Sequence, residues 1–389
     1  MTIYSRKESY LASVFNRRAA RRRSPVSGTF ELTPTCNMSC KMCYVRKTAS
    51  EVNKLGGLHS GEEWINLAEK IKEAGTLFLL VTGGEPFMHP DVLSILKALH
   101  EMGMVVSLNT NATLLTEEIV EFLKTCPPSR INVTLYGSSN DTYKRLCGDP
   151  FGYDKAIRGI RLLKKAGMTV AVNVSVTPDN SGDLKDILDF AREENLPTRT
   201  ASYMFPPVIR DRSSVGNNYR FTPEDAARSK AYIESYLIGP DLFAKKILDD
   251  HEIVMPADSV EECLSDTQSQ NVNKSTCSAG KNAYWINWKG DLSICGMIPE
   301  DDTINVFYDD FDKAWKNAVK FADSIRLPAK CKDCSLRDQC IPCAASIITE
   351  TGFFDKVPEY KCRMAHYYPY AAQELARKLR NEATVAEGE

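Results

Sequence analysis

Between Gly28 and about Phe205 six short apolar segments alternate with amphipathic stretches of helical period, and few folds accommodate that alternation. The apolar segments are Thr29–Thr35, Leu77–Thr82, Val105–Thr110, Arg130–Leu135, Thr169–Thr177 and Arg199–Met204. Ser60, with Glu63 three residues on, forms a capping box that predicts a helix to about Gly75. Further helices are expected at His89–Met102, after Thr116 as N-cap, around Tyr153–Ala166 and at Leu184–Glu194. Strand-then-helix units in series predict a parallel α/β sheet. Leu77–Val81 (LFLLV) is apolar without alternation, as strands covered on both faces are. Ligands of such folds gather at the carboxyl ends of the strands. Cys36, the segment Gly83-Gly84-Glu85-Pro86, Thr110-Asn111, Thr134, Ser175 and Tyr203 all fall at or near predicted strand ends.

Thr33–Tyr44 reads TPTCNMSCKMCY and places Cys36, Cys40 and Cys43 at C-x3-C-x2-C spacing straight after the first strand. A structural zinc site closes a tetrahedron with four ligands, commonly from two separated pairs. Three thiolates leave one position open, and tight thiolate triplets also hold iron–sulfur clusters. The residues therefore point first to a cluster with one iron left for a small ligand. Thirteen cysteines, an odd number, occur in the 389 residues, with no signal peptide ahead of them and no apolar run of membrane-spanning length. Such thiols stay reduced in a cytoplasm, so their clustering predicts metal sites in a cytoplasmic protein, not disulfides. A net charge of −2 gives no reason to expect nucleic acid as a partner. Arg17, Arg18, Arg21, Arg22 and Arg23 read as the solvated face of an amphipathic helix within residues 1–27.

Beyond Phe205 the character changes. Pro206-Pro207, Arg210, Arg212 and Ser213-Ser214 read as an exposed connection, and Thr222-Pro223 starts a new helix. Tyr284–Trp288 and Leu292–Cys295 flank Lys289-Gly290-Asp291, a hairpin with a glycine turn. A tail helix is expected from His366 to Asn381, with Leu375 and Leu379 on one face. Cysteines dominate between these elements: Cys263, Cys277, Cys295, then Cys331-x2-Cys334-x5-Cys340-x2-Cys343, and Cys362. Eight thiols fill two four-thiolate sites, and by ligand count alone two zincs and two iron–sulfur clusters fit equally well.

Taken together, the cysteine triplet after one strand, GGEP after the next, the six β/α units and the distal cysteines resemble the radical S-adenosylmethionine (SAM) enzymes. The distal part is similar to the SPASM extension of that superfamily, and the resemblance spans about Gly28 to Cys362. It implies an α/β fold with a partial (β/α)6 TIM-like barrel over 28–205, a bridging region over 206–262, a cysteine-rich SPASM domain over 263–365 and a C-terminal helix and tail over 366–389. The implied cofactors are SAM and three [4Fe–4S] clusters. Cys36, Cys40 and Cys43 would hold the one whose fourth iron chelates the amine and carboxylate of SAM. Electron donation would then release a 5′-deoxyadenosyl radical that takes hydrogen from substrate. Gly83, Gly84 and Glu85 would meet the SAM amine, glycine letting backbone come close to the ligand. Met42 would lie against adenine, and Thr110, Asn111, Thr134, Asn173 and Ser175 would contact ribose and carboxylate. One auxiliary cluster would take Cys277, Cys295 and Cys343 with Cys263 as fourth ligand, and the other Cys331, Cys334, Cys340 and Cys362. The x2 spacing from Cys340 to Cys343 departs from the usual x3. Cys126 and Cys147 lie outside all these sets and read as structural, although a thiol can donate hydrogen in this chemistry.

SPASM proteins mostly act on peptides or proteins. The resemblance therefore implies an oxidoreductase-type maturase that makes a cross-link, an epimerised centre or an oxidised residue in a peptide. A radical enzyme acting on a small metabolite is the alternative, with a non-catalytic zinc protein as a third. Sulfatase-maturating enzymes are similar in length and cluster count, but they carry an Asp directly after the cysteine that closes the first auxiliary pair. Here Gly296 follows Cys295. An electron donor such as flavodoxin or ferredoxin is an implied partner. About 27 residues ahead of the first strand are few for a domain that grips a leader, so either a separate leader-binding protein or the bridging region holds it, or the substrate needs none. No catalytic base or hydrogen donor can be assigned from the sequence; Tyr203 is one candidate, against an ordinary core tyrosine.

Overall fold

The computed structural model describes residues 10–206, 220–265, 273, 275, 277–299 and 303–386. The chain starts with α1 (Tyr10–Arg22), on which Arg17, Arg18, Arg21 and Arg22 are exposed as an amphipathic helix requires. Next come β1 (Ser27–Glu31), α2 (Ala49–Lys54), α3 (Gly61–Glu73), β2 (Phe78–Thr82), α4 (Val92–Glu101) and β3 (Val105–Thr110). They are followed by α5 (Glu117–Thr125), β4 (Arg130–Thr134), α6 (Asn140–Cys147), α7 (Gly152–Lys165), β5 (Val170–Ser175), α8 (Leu184–Glu193) and β6 (Thr198–Ala201). The capping box of Ser60 and Glu63 forms as read from the sequence, and Thr116 and Thr222 cap their helices through side-chain bonds.

Helices α2 and α6 fall outside the expected set. The first strand is also shorter than expected, because Thr33 Oγ1 accepts the Thr35 N–H at 3.1 Å and turns the chain out of the ladder. Strand β6 ends at Ala201, which leaves Tyr203 on the segment after it. The connection holding Pro207, Arg210, Arg212, Ser213 and Ser214 lies outside the described residues.

The second half contains α9 (Pro223–Ile238), α10 (Pro240–Leu248), α11 (Val260–Ser265), β7 (Trp285–Ile286), β8 (Asp291–Ser293) and β9 (Ile304–Asn305). It closes with α12 (Phe311–Ser324), α13 (Arg337–Cys340), α14 (Ala344–Thr351) and α15 (Glu359–Ala386). The strands form one sheet in the order β6-β5-β4-β3-β2-β1-β7-β8-β9. From β6 to β7 all neighbours are parallel, and β7-β8-β9 is antiparallel. The sheet is unclosed, since β6 and β9 are its two edges. The hairpin expected near Gly290 thus forms, and it does more than expected: it continues the parallel sheet across β1.

Gly28 makes that junction possible, because a Cβ there would lie 2.6 Å from the Tyr284 ring. Tyr284 then bonds Thr76 Oγ1 through its hydroxyl at 2.9 Å, and Trp285 Nε1–H donates to Glu31 at 3.0 Å. The main core runs under the sheet from Phe30 and Trp64 to Val306 and Trp315. A smaller one joins α9, α10 and α15 through Ala231, Phe243, Ile247, Ala372 and Ala376, with Leu375 and Leu379 packed against it. No helix among the described residues is long and apolar enough to cross a membrane. All thirteen cysteines are free thiols.

Candidate functional site

Cys36, Cys40 and Cys43 sit half-buried in the loop that leaves β1. Helix α6 supports that loop. Its last carbonyls have no partner inside the helix, and they accept the Ser39 N–H (to Cys147 O, 2.8 Å) and the Lys41 N–H (to Leu146 O, 3.0 Å). Gly148 ends α6 with φ +73°, and a Cβ there would collide with Ser39 Oγ, so glycine is required twice over. Lys41 also pairs with Asp179 at 3.0 Å, tying the loop to the segment after β5.

This support brings Cys147, set apart from the clusters by sequence, against Cys40. The Cys147 thiol and the Tyr136 hydroxyl both hydrogen-bond the Cys40 sulfur; with Cys147 the larger influence, they hold Cys40 below the ordinary thiol range despite its burial. Burial acts the other way on its neighbours, pushing Cys36 up to about 12 and raising Cys43. The Met38 N–H (3.4 Å) and the Asn111 amide (3.7 Å) point at Cys36 Sγ. Asn111 is held by Asn37 at 2.9 Å and by Thr113, whose N–H and hydroxyl donate to its carbonyl. Thiols that burial keeps protonated give up the proton to a cation that takes its place. Three of them in one loop, with N–H groups aimed at sulfur, are a donor set that fits an iron–sulfur cluster. Asn37, Thr113, Tyr136 and Cys147 are the residues the sequence reading missed in this role: Asn37 stands inside the loop, and the other three reach it from other parts of the chain.

The glycines of GGEP answer to protein and not only to ligand. A Cβ on Gly83 would lie 2.6 Å from Thr33 O, and one on Gly84 would meet Pro34 O at 2.7 Å and collide with Thr35 O. The Gly84 and Glu85 N–H groups donate to Thr33 O and Thr35 O at 2.6 and 2.9 Å, so this loop braces the entrance to the cysteine loop. The Glu85 carboxylate is fully buried and accepts from Thr110 Oγ1 and the Asn111 N–H, both at 2.7 Å. Thr110 Oγ1 in turn accepts the Ala112 N–H at 3.0 Å and holds Ala112 at φ +61°. Glu85 and Thr110 thus link the ends of β2 and β3.

Burial pushes the Glu85 carboxyl up to about 7, against the bonds from Asn111, Thr110 and Phe87 that favour its ionised form. A carboxyl whose pKa is higher folded than unfolded takes up a proton on folding. Its contribution is complete below 4.5 and is lost as pH rises through about 7. Over that window the protein is expected to lose about 3 kcal/mol that a Glu85→Gln variant does not lose, read by urea unfolding of the metal-free chains across the pH range.

Met42, Thr134, Asn173 and Ser175 are half-buried. Thr134 and Asn173 are register partners on β4 and β5, and Ser175 ends β5, so all three stand on the same rim of the sheet as Thr110. Tyr203 does not offer a free hydroxyl. It donates to Glu350 Oε1 at 2.8 Å, and Glu350 is ion-paired with Arg220, whose guanidinium lies 3.9 Å over the Tyr360 ring. Cys126 is buried at the end of α5, in keeping with a structural role.

A second thiol group lines a small cavity bordered by Cys263, Cys331, Cys334, Cys340, Cys343 and Cys362. Burial pushes Cys331 up to about 12 and raises Cys340 and Cys362, while Lys361, Lys230 and Arg337 favour the Cys340 thiolate. Buried sulfurs with cations around them again suit a cluster. Cys263 does not keep the place expected for it beside Cys277 and Cys295. Its sulfur lies within 4.8 Å of Cys362, because the segment before α11 is tethered to the residues flanking the distal cysteines. Cys277 is exposed, and Cys295 and Cys343 are half-buried against the main core.

Residues 30–191 match the radical SAM superfamily. The AdoMet-dependent heme synthase of Methanosarcina barkeri is 26% identical over 330 residues, covering 83% of this chain and 92% of that protein. The antilisterial bacteriocin subtilosin biosynthesis protein AlbA of Bacillus subtilis is 24% identical over 297 residues, 76% of this chain and 60% of AlbA. Among solved structures, Streptococcus suis SuiB bound to its precursor peptide SuiA superposes with a TM-score of 0.65 at 18% identity, over 90% of this chain and 80% of SuiB. The motif placement, the unclosed parallel sheet and these matches agree: residues 30–191 form a radical SAM domain, and enzymes with that domain work with a [4Fe–4S] cluster and SAM.

Proposed function

We propose that this enzyme modifies a peptide and carries two auxiliary [4Fe–4S] clusters besides the SAM-binding one. The observation that carries this reading is the thiol-lined cavity on an extension that continues the barrel's own sheet. An extended chain of this fold is present in SuiB, seen with a precursor peptide, and AlbA is a bacteriocin biosynthesis protein. The radical SAM domain removes the non-catalytic zinc reading.

In this proposal Cys36, Cys40 and Cys43 hold the first cluster, and residues 28–205 and 263–365 form the barrel and the auxiliary domain. When bound, the cluster and SAM supply a 5′-deoxyadenosyl radical that removes a hydrogen atom from substrate, the electron coming from a flavodoxin or ferredoxin. Met42 would lie against adenine, Asn173, Ser175 and Thr134 would meet ribose and carboxylate, and Gly83, Gly84 and Glu85 would shape the wall at the amine. Position 296 argues against sulfatase maturation: a Cβ on Gly296 would lie 2.5 Å from the Trp285 ring, so an aspartate after Cys295 has no room.

The heme synthase, matched over nearly its whole length, favours a second reading with a tetrapyrrole substrate. Anaerobic incubation with SAM and dithionite distinguishes the two. The expected result is 5′-deoxyadenosine formation accompanied by a mass or chirality change in a precursor peptide. Turnover of an iron porphyrinoid, with every peptide unchanged, would replace the first reading by the second.

A further inference from the structure

We infer that Cys263 belongs to the distal thiol group and serves, interchangeably with Cys362, as the fourth ligand of the cluster held there. The inference rests on the reading that a cluster occupies the distal cavity.

A four-iron cluster that leaves no iron open to a small ligand takes four protein ligands. Five sulfurs line one side of the cavity together: Cys331, Cys334, Cys340, Cys362 and Cys263. Cys343 also borders the cavity, but it stands at the start of α14 on the side of Tyr203. One distal thiol is therefore in surplus. The two that share a position are identified by geometry, because Cys263 and Cys362 hydrogen-bond each other and their sulfurs lie within 4.8 Å.

The place of Cys263 is built by several tethers. The Ala257 N–H donates to Ser335 Oγ at 3.2 Å, Lys330 pairs with Asp258 at 3.0 Å, and Arg363 reaches Glu261 at 3.6 Å. Each anchor is next to a distal cysteine in sequence: Lys330 before Cys331, Ser335 after Cys334, Arg363 after Cys362. His366 completes the set. Its Nε2 faces Asp258 O at 3.0 Å and its Nδ1 faces Cys362 O at 2.8 Å. Its Nδ1 also lies 3.7 Å from Cys362 Sγ, so His366 acts as a positioning residue that ties the approach to α11 to α15 beside the two sulfurs. Cys263 itself is 3% exposed.

Exchange between the two sulfurs balances without an oxidant or reductant. One Fe–S bond breaks and one forms, and the proton of the incoming thiol passes to the departing sulfur.

Three variants test this: Cys263→Ala, Cys362→Ala and the pair together, each reconstituted anaerobically and compared with wild type by iron and sulfide content and by EPR of the reduced protein. Each single variant is expected to keep the wild-type iron, and the double variant to lose about four irons per chain. Retention of the SAM-cluster signal shows that the double variant is folded. Cys362→Ala shifts the distal EPR signal without abolishing it, since one ligand is exchanged. Loss of the distal signal in either single variant overturns the interchange, as does full iron content in the double variant. A wild-type protein that takes up only about four irons overturns the auxiliary-cluster reading itself, and the interchange with it.

Discussion

Replacing Cys40 by alanine is expected to abolish SAM cleavage and to remove about four irons per chain while the distal signal persists. Cys40 is the member of the triplet whose sulfur two donors, Cys147 and Tyr136, hold toward the thiolate. Its neighbours are raised by burial and depend on the metal for ionisation. Loss of 5′-deoxyadenosine, read by chromatography, checks the first half and iron content the second. Because Cys147 is near enough to stand in, the Cys40→Ala/Cys147→Ala pair accompanies the single variant. SAM cleavage in the double variant would show that the loop after β1 is not the centre of this protein.

The second large effect is expected far from that loop. Arg220 and Glu350 have side chains 10% and 9% exposed, and their ion pair joins the segment after β6 to α14. Tyr203 and Tyr360 complete the contact. Removing one charge from a buried pair leaves the other without a counter-charge, at a cost of roughly 3–5 kcal/mol. Glu350→Ala should therefore destabilise the protein by that amount in urea unfolding. Replacing both, as Arg220→Met with Glu350→Leu, should cost far less, since apolar groups of similar volume avoid the desolvation altogether. Equal losses in the two variants would show that the network acts through shape and not through charge.

What the sequence made legible was local chemistry. The bonds of Ser60, Thr116 and Thr222 to N–H groups three residues on are caps whose partners are written side by side. The parallel strands were legible because cover on both faces leaves an unbroken apolar run, as in β2, where Leu79 and Val81 are buried and Phe78 and Leu80 half-buried. Helix α6 was not, because its NDTYKRLC sequence is mostly polar and only Tyr143, Leu146 and Cys147 reach the core. The cysteine triplet is a local motif and was found; the thiol beneath it comes from the end of α6 and was not. Cys263 shows the same limit. The resemblance grouped it with Cys277 and Cys295, whereas tethers from Ser335, Lys330 and Arg363 bring it to Cys362. Pairings between distant segments leave no periodic trace, and each depends on which loops the sheet brings together.

Strand β1 has neighbours on both sides. Its backbone bonds β2 on one flank, and on the other Ser27 and Thr29 donate to Asn282 and Tyr284 at 3.0 and 3.1 Å. The strand that delivers the cysteine loop is thus interior only while the last third of the chain is in place. A barrel fragment cut before β7 would present β1 as a raw edge, with unpaired N–H and C=O groups beside the exposed Gly28 backbone, and such edges recruit other strands. Solubility of the first half is therefore a property conferred by the second. The cysteine-rich last third acts as a sheath for the parallel sheet as well as a carrier of thiols.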